Sequence, residues 1–295
     1  MPNPISIAIV TPSFNQAPFV EETIRSVVNQ QYPELQYVVI DGGSTDGSQD
    51  IIEAYSDQLH FYTSEPDRGH AHALNKGFAE TDCEIMAWIN SDDKYTPQAL
   101  HTVARIFELF PEVEWITGFN GLWNKEGVMT TAQRNPKNIY DFLTGKYNWV
   151  QQESTFWRRS LWQKAGGYID ESQKYMVDGE LWCRFFQHAE LYSIDAILGG
   201  YRIHDQNRAI QNAAECHQEM LPIIDAMKRE LPQNVITTAK KINALRKIRK
   251  VPILKRLGLS RMISTHHLDS NFQEIDYKNI HYANGRWQIR TLPYK

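Results

Sequence analysis

Four short β-branched runs, Ile5 to Val10, Gln36 to Ile40, His60 to Thr63 and Ile85 to Ile89, alternate along the chain with stretches that carry apolar residues at helical spacing. Those stretches are Pro18 to Gln30, Asp46 to Tyr55, His70 to Ala79 and Pro97 to Phe110; in the first, Val20, Ile24, Val27 and Val28 share one face. This rhythm leaves few folds open. Strands separated by helices cannot close tight hairpins, so they are predicted to lie parallel, with the helices covering the sheet. Ligands of such sheets bind beyond the carboxyl ends of the strands. There the sequence places its polar clusters: Thr11-Pro12-Ser13, Asp41-Gly42-Gly43, Glu65 to Arg68, and Asn90 to Asp93.

From about Trp115 the segments become longer, less regular and rich in Trp and Tyr, with a helix expected at Asp178 to Ala189, a strand near Leu198 to His204 and a long helix from about Gln211 to Arg229. Trp115, Trp123, Trp149, Trp157, Trp162 and Trp182 are read mostly as core, with one or two free to stack on a sugar face. The 295 residues are 42% hydrophobic and 22% charged, which excludes disorder as the main state. No apolar run approaches the roughly 18 residues of a spanning helix, and Met1 to Asn15 lacks the pattern of a signal peptide, so a cytoplasmic protein is expected. Cys83, Cys183 and Cys216 have neither the number nor the spacing of a disulfide framework or a zinc knuckle, and read as reduced thiols.

The net charge of −4 conceals an asymmetry: Leu231 to Leu268 holds nine basic residues and no acid. The tail, residues 231–295, is therefore read as a basic extension. Its first part is helical, with Ala244, Leu245, Ile248 and Val251 on one side and Arg246, Arg249 and Lys250 on the other, until Pro252. Residues 240–261 suit an anionic membrane surface or a polyphosphate; the plainer account is a packed helix with solvated charges. After Asp269 a small strand-rich end piece is expected. Nothing calls for a nucleic-acid partner.

Asp41 to Ser48 has the glycine spacing of a phosphate loop, but Ser48 stands where that loop requires Lys. No GxGxxG follows a strand and no GxSxG is present, which leaves dinucleotide folds and serine hydrolases without support. A carboxylate at a strand end, such as Asp41, can instead accept the ring N–H of a pyrimidine while the glycines let the base approach the backbone. Asp46 reads better as a helix cap. Asn90-Ser91-Asp92-Asp93 sets adjacent carboxylates at the mouth of the sheet, where a hard divalent cation completed by water and phosphate oxygens would relieve their repulsion. A turn capping the helix after Pro97 explains the same residues equally well.

Taken in order, Thr11-Pro12-Ser13-Phe14-Asn15, Asp41 to Gly47, Glu65 to Gly69, Leu74 to Gly77 and Trp88 to Asp93, followed by Phe156 to Gly167, Asp178 to Trp182 and Arg202-Ile203-His204, resemble the inverting family 2 glycosyltransferases of GT-A fold. The resemblance covers about residues 5 to 208. It implies a GT-A type α/β fold: a mostly parallel, Rossmann-like sheet flanked by helices, with a nucleotide-sugar half at 1–113, an acceptor half at 114–230 and the helical basic C-terminal extension beyond. It also implies a nucleotide-sugar donor, usually UDP-linked, with Thr11, Pro12, Asn15, Asp41, Arg68 and Asp92 around the nucleotide. Asp92, Asp93 and His204 would hold Mn²⁺ or Mg²⁺, and Asp178 would be the general base. The acceptor would be a glycan or a lipid-linked hydroxyl, met by a hexosyltransferase of polysaccharide biosynthesis that could sit peripherally on the inner face of the membrane. Asn90 departs from the family's usual first Asp, and Gln151 stands where many relatives have His.

The chemistry requires two separated acidic sites whatever the family: one to neutralise a departing diphosphate, one to take the proton of the attacking hydroxyl. Asp92/Asp93 and Asp178 come from opposite halves of the chain, which suits in-line displacement with inversion. Two other readings remain at this point: a sugar-phosphate nucleotidyltransferase, whose Gly-rich basic loop is missing here, and a non-catalytic nucleotide-sugar or phospholipid-binding module. His70 and His72, at a helix start, read only weakly as metal ligands.

Overall fold

The computed structural model describes residues 4–145, 150–249 and 275–294. The first half alternates as expected, through β1 (Ile7–Ser13), α1 (Val20–Val28), β2 (Leu35–Asp41), α2 (Ser48–Glu53), β3 (Phe61–Ser64), α3 (His70–Ala79), β4 (Ile85–Trp88), β5 (Lys94–Tyr95) and α4 (Ala99–Leu109). The second half runs β6 (Trp115–Thr117), β7 (Asn120–Trp123), β8 (Met129–Gln133), α5 (Ile139–Leu143), β9 (Thr155–Arg158), α6 (Arg159–Lys164), α7 (Val177–Phe185), β10 (Leu191–Ile194), β11 (Gly199–Arg202), α8 (Arg208–Gln211), α9 (Ala213–Glu230) and α10 (Gln233–Arg249). The chain closes with the hairpin β12 (Tyr277–Ala283) and β13 (Arg286–Leu292).

Nine strands form the main sheet in the order β13-β12-β10-β6-β9-β4-β1-β2-β3. It is parallel except at β9, which opposes both β4 and β6, and at β13, which opposes β12. Burial explains why β1 and β2 are apolar runs rather than alternating strands: every residue of β1 and the last five of β2 are buried. Trp88, Trp115, Trp157 and Trp182 fill the centre, with the rings of Trp88 and Trp182 stacked at 5.8 Å. Trp123 and Trp162 are buried too. Trp149 lies outside the described residues.

A second, four-stranded sheet runs β5-β11-β7-β8; of its strands only β11 was expected, from the segment Leu198 to His204. Its strands cross too closely for side chains: a Cβ on Gly121 would fall 2.6 Å from the Gly199 carbonyl oxygen, and one on Gly200 2.8 Å from Trp123 Nε1. Glycine at these points makes the crossing feasible and erases the alternation that reveals a strand. The helix expected from Asp178 begins at Val177 and stops at Phe185, short of Ala189.

The tail is tied to the body. β12 pairs in parallel with β10, so the piece after Asp269 adds two strands to the main sheet. On α10 the buried residues are Ala239 and Ile242, while Ala244, expected on the apolar side, is exposed. Arg246, expected on the charged face, turns inward to donate to Tyr294 Oη at 2.7 Å and to Thr144 Oγ1, and lies over the Tyr294 ring. Lys240, Lys241 and Lys247 are exposed; Lys250, Lys255, Arg256 and Arg261, with most of the 240–261 segment, lie outside the described residues. Among the described residues no helix is long and apolar enough to cross a membrane. Arg246→Ala is expected to lower stability by about 1–2 kcal/mol in urea unfolding, as loss of two hydrogen bonds and a ring contact should. Unchanged stability would return Arg246 to the pool of solvated charges.

Candidate active site

Strand β4 is wholly buried, and where it ends the chain turns through Asn90 to Asp93, closed by the Asp93 N–H on the Asn90 carbonyl at 3.1 Å. Adjacent side chains of the turn point opposite ways. Asp92 faces an open cleft of about 470 Å³ at the carboxyl ends of β1, β2 and β4, together with Pro12, Phe14, Asp67, Lys174 and Arg208. Asp93 faces the interior and is fully buried. Its Oδ1 accepts the backbone N–H of Arg202 at 2.7 Å and its Oδ2 accepts Asn90 Nδ2 at 3.1 Å. The expected metal ligand Asp93 is therefore committed to the fold. Burial, and the carboxylates of Glu153 and Asp92 close by, raise its pKa well above the ordinary range.

Arg202, only 1% exposed, braces this turn. Its guanidinium donates to the carbonyls of Asp92 at 2.6 Å and Lys125 at 3.1 Å, and to Glu22 Oε2 at 2.6 Å. Beyond it, His204 is buried against the Phe19 ring with centroids 4.6 Å apart. His204 Nδ1 accepts the Gln206 N–H at 3.3 Å, so Nε2 carries the proton and donates to Asp92 Oδ2 at 2.9 Å. Of the three expected metal ligands, Asp92 and His204 meet and Asp93 does not join them. Among the described residues no cluster of three or more His, Cys, Asp or Glu side chains could hold a metal by itself. Asp92 at the cleft mouth still fits Mg²⁺ or Mn²⁺, which takes most of its shell from water and substrate phosphates, whereas the expected ligand His204 lies outside the cleft lining with both ring nitrogens engaged and serves as the hydrogen-bond partner that aims Asp92.

The residues expected around a nucleotide divide in two. Pro12 and Asp92 line the cleft. Thr11 lies behind it, bonded through its hydroxyl to Tyr37 Oη at 3.0 Å. Asp41 is also fully buried, and its carboxylate accepts the N–H groups of Gly43 and Ser44 and the hydroxyls of Ser44 and Ser64, at 2.5–3.1 Å. Asn15, at φ +53°, joins the loops after β1 and β2: its N–H donates to Ser44 Oγ at 2.7 Å and its Oδ1 accepts the Thr45 N–H at 3.0 Å. Thr11, Asn15 and Asp41 thus build the cleft floor from outside it. Arg68 is exposed and paired with Glu171 at 2.8 Å, and it lines neither the cleft nor the cavity behind it. Its neighbour Asp67 faces the cleft instead, with Oδ1 accepting the Gly69 N–H at 2.7 Å.

A second cavity of about 790 Å³ adjoins the cleft, lined by Trp88, Asn120, Glu153, Asp178, Ile210 and Met220 among others. His70, Asn90, Tyr175 and Tyr201 line both spaces and mark their junction. Asp178 comes from the first turn of α7, one turn ahead of Trp182, whose stacking on Trp88 fixes the helix against β4. Its Oδ1 accepts the Gly179 N–H at 2.8 Å. Burial above all, with Glu153 and Glu219 adding, pushes the Asp178 pKa up to about 7. Glu153 carries no sequence signature, yet it is 4% exposed, its carboxyl contacts that of Asp93, and burial raises its pKa. Lys137, buried behind the cavity, donates to Asn120 Oδ1 at 2.7 Å, and burial lowers its pKa to about 7.

The profile described as Glycosyl transferase family 2 matches residues 8–162, more than half of the chain and all of the strand ends that form the cleft. The chain belongs to glycosyl transferase family 2. An uncharacterized glycosyltransferase of Rickettsia typhi is 27% identical over 205 residues, which are 68% of this chain and 64% of that protein, so the match leaves about a third of the relative uncovered. S. aureus TarS 1–349 in complex with UDP superposes with a TM-score of 0.62 at 15% identity, covering 97% of this chain and 96% of that one. The mannosyltransferase PcManGT of Pyrobaculum calidifontis, solved with GDP-Man and Mn²⁺, gives 0.53 at 18% identity, over 89% and 82%. The fold is therefore the GT-A type, mostly parallel sheet that the family resemblance implied, and family membership removes the ground for a nucleotidyltransferase.

Proposed function

We propose that the protein is an inverting glycosyltransferase that moves a sugar from a nucleotide-diphosphate donor, UDP-linked by preference, to a hydroxyl of a glycan or lipid-linked acceptor. The observation that carries this is the pair of adjoining spaces, with Asp92 in one, Asp178 in the other, and four side chains at their junction. The nucleotide lies over the floor built by Thr11, Asn15 and Asp41, with the exposed Phe14 ring beside it. Lys174 and Arg208 supply positive charge along the diphosphate, and Asp67 takes the ribose side in place of Arg68. Mn²⁺ or Mg²⁺ held by Asp92, which His204 orients through its Nε2–H, would neutralise charge on the departing diphosphate, and Asp93 holds the turn that presents Asp92.

The acceptor enters the second cavity, where Met176, Ile210 and Met220 give it an apolar wall opposite Glu153 and Asp178. Asp178 takes the proton of the attacking hydroxyl as its oxygen bonds to the anomeric carbon. The bond from that carbon to the diphosphate oxygen breaks, with its electron pair leaving on the phosphate. Attack from the cavity and departure into the cleft proceed on opposite faces, which inverts the configuration. Polysaccharide biosynthesis is the process such a reaction serves. The exposed lysines of α10 offer a contact to the anionic cytoplasmic face of a membrane.

Isothermal titration with UDP, GDP and their common sugar conjugates, in Mn²⁺ or Mg²⁺, tests the reading directly. Saturable binding of one nucleotide at a ratio near one is expected, and absence of binding across the panel would overturn it.

A further inference from the structure

Behind the junction of cleft and cavity, a chain of amides has its orientation set at one end by a backbone carbonyl. Gln152 Nε2 donates to the carbonyl of Trp88, a group that only accepts, so Gln152 Oε1 is turned outward, where it accepts Asn90 Nδ2 at 3.3 Å. The same Asn90 Nδ2 donates to Asp93 Oδ2 at 3.1 Å. Asn90 Oδ1 is left facing His70 Nε2 at 3.0 Å, a contact that requires Nε2 to carry the proton. Burial lowers the His70 pKa, so the ring is neutral and its lone pair sits on Nδ1. Among the described residues no hydrogen bond reaches that nitrogen, and His70 lines both the cleft and the cavity.

We propose that His70 Nδ1 accepts a hydrogen bond from a hydroxyl of the transferred sugar, which makes His70 a specificity-determining contact for the donor. The inference rests on the donor reading above. It also gives the departure at position 90 a physical reason. A carboxylate there would face Gln152 Oε1 and the Asp93 carboxyl without a donor between them, and would draw a second proton onto the imidazole, turning Nδ1 from acceptor to donor. The Asn90 amide satisfies both acceptors and keeps the ring neutral.

The test compares nucleotide with nucleotide-sugar affinity, using calorimetry with UDP, UDP-glucose, UDP-galactose, UDP-N-acetylglucosamine, GDP and GDP-mannose on wild type, His70→Phe and His70→Gln. For the best conjugate, the gain in affinity over its bare nucleotide should fall about 3- to 10-fold in His70→Phe, as loss of one hydrogen bond requires. The bare nucleotide should bind the variant as it binds wild type. His70→Gln, whose amide can donate to Asn90 and still present an oxygen, should stay within about 3-fold of wild type. With no acceptor present, any change belongs to the donor sugar. An unchanged gain in His70→Phe, an equal loss for the bare nucleotide, or no gain from any sugar in wild type would overturn the assignment. Absence of nucleotide binding by wild type would instead overturn the donor reading beneath it.

Discussion

Asp178→Asn is expected to reduce sugar transfer by a factor on the order of 100 or more, while nucleotide-sugar affinity stays within experimental scatter of wild type. The separation follows from position: Asp178 lines the acceptor cavity and not the donor cleft. The same change should stabilise the protein at high pH. With its pKa raised by burial to about 7, against roughly 4 for an unfolded aspartate, the native state holds the Asp178 proton more tightly than the unfolded chain does. That contribution is fully present below about pH 4 and is lost as pH rises through about 7, at a cost on the order of 4 kcal/mol for a fully buried group. Replacing Asp178 with Asn removes the cost. The variant's Tm should exceed that of wild type at pH 8, by a smaller margin at pH 5, and not at all at pH 4. Activity must move the other way, because the base works only when ionised, so the transfer rate should climb through an apparent pKa near 7 and flatten above it. Near-normal transfer by the variant would remove Asp178 as base; lost donor binding would make it a structural residue of the cleft.

What the sequence revealed depended on whether a residue's job leaves a periodic or local trace. The parallel sheet was legible because burial on both faces turns β1, β2 and β4 into apolar runs, and α3 was legible at His70–Ala79 because Ala71, Leu74 and Phe78 recur at helical spacing. Asp178 was legible as an acid heading an apolar helix. Asp92 and Asp93 were legible as a pair but not as individuals, since neighbours in a turn point opposite ways and nothing in the letters says which way is out. The same holds for Asp67 and Arg68, of which Asp67 lines the cleft and Arg68 does not. Glu153 left no trace at all: it sits in a single 3-10 turn, Gln152–Ser154, leading into β9, and its environment is assembled from β4, the 90–93 turn and α7, segments distant in sequence. Arg246 was placed on the charged side of α10 because composition counts it as basic, whereas its partners Thr144 and Tyr294 come from opposite ends of the second half.

The two adjacent aspartates should separate completely when tested one at a time. Titration of wild type with UDP is expected to give at least 10-fold tighter binding with Mn²⁺ or Mg²⁺ than with chelator, and Asp92→Asn should abolish that difference while leaving Tm close to wild type. Asp92 is part-buried and its carboxylate touches only His204, so its loss removes one hydrogen bond from the fold. Asp93→Ala should behave as a stability variant. It strips the acceptor from the buried Arg202 N–H and one of the two acceptors from Asn90 Nδ2, which keeps Gln152 Oε1. A cost of about 2–4 kcal/mol in urea unfolding is expected from the two buried hydrogen bonds lost and the space left behind. Whatever fraction stays folded at low temperature should retain metal-dependent UDP binding, since Asp92 and the His204 that orients it remain. A stable Asp93→Ala protein that has lost the metal effect would restore Asp93 to the ligand set and make Asp92 the structural partner. Equal UDP affinity with and without metal in wild type would leave Lys174 and Arg208 as the groups that meet the diphosphate charge.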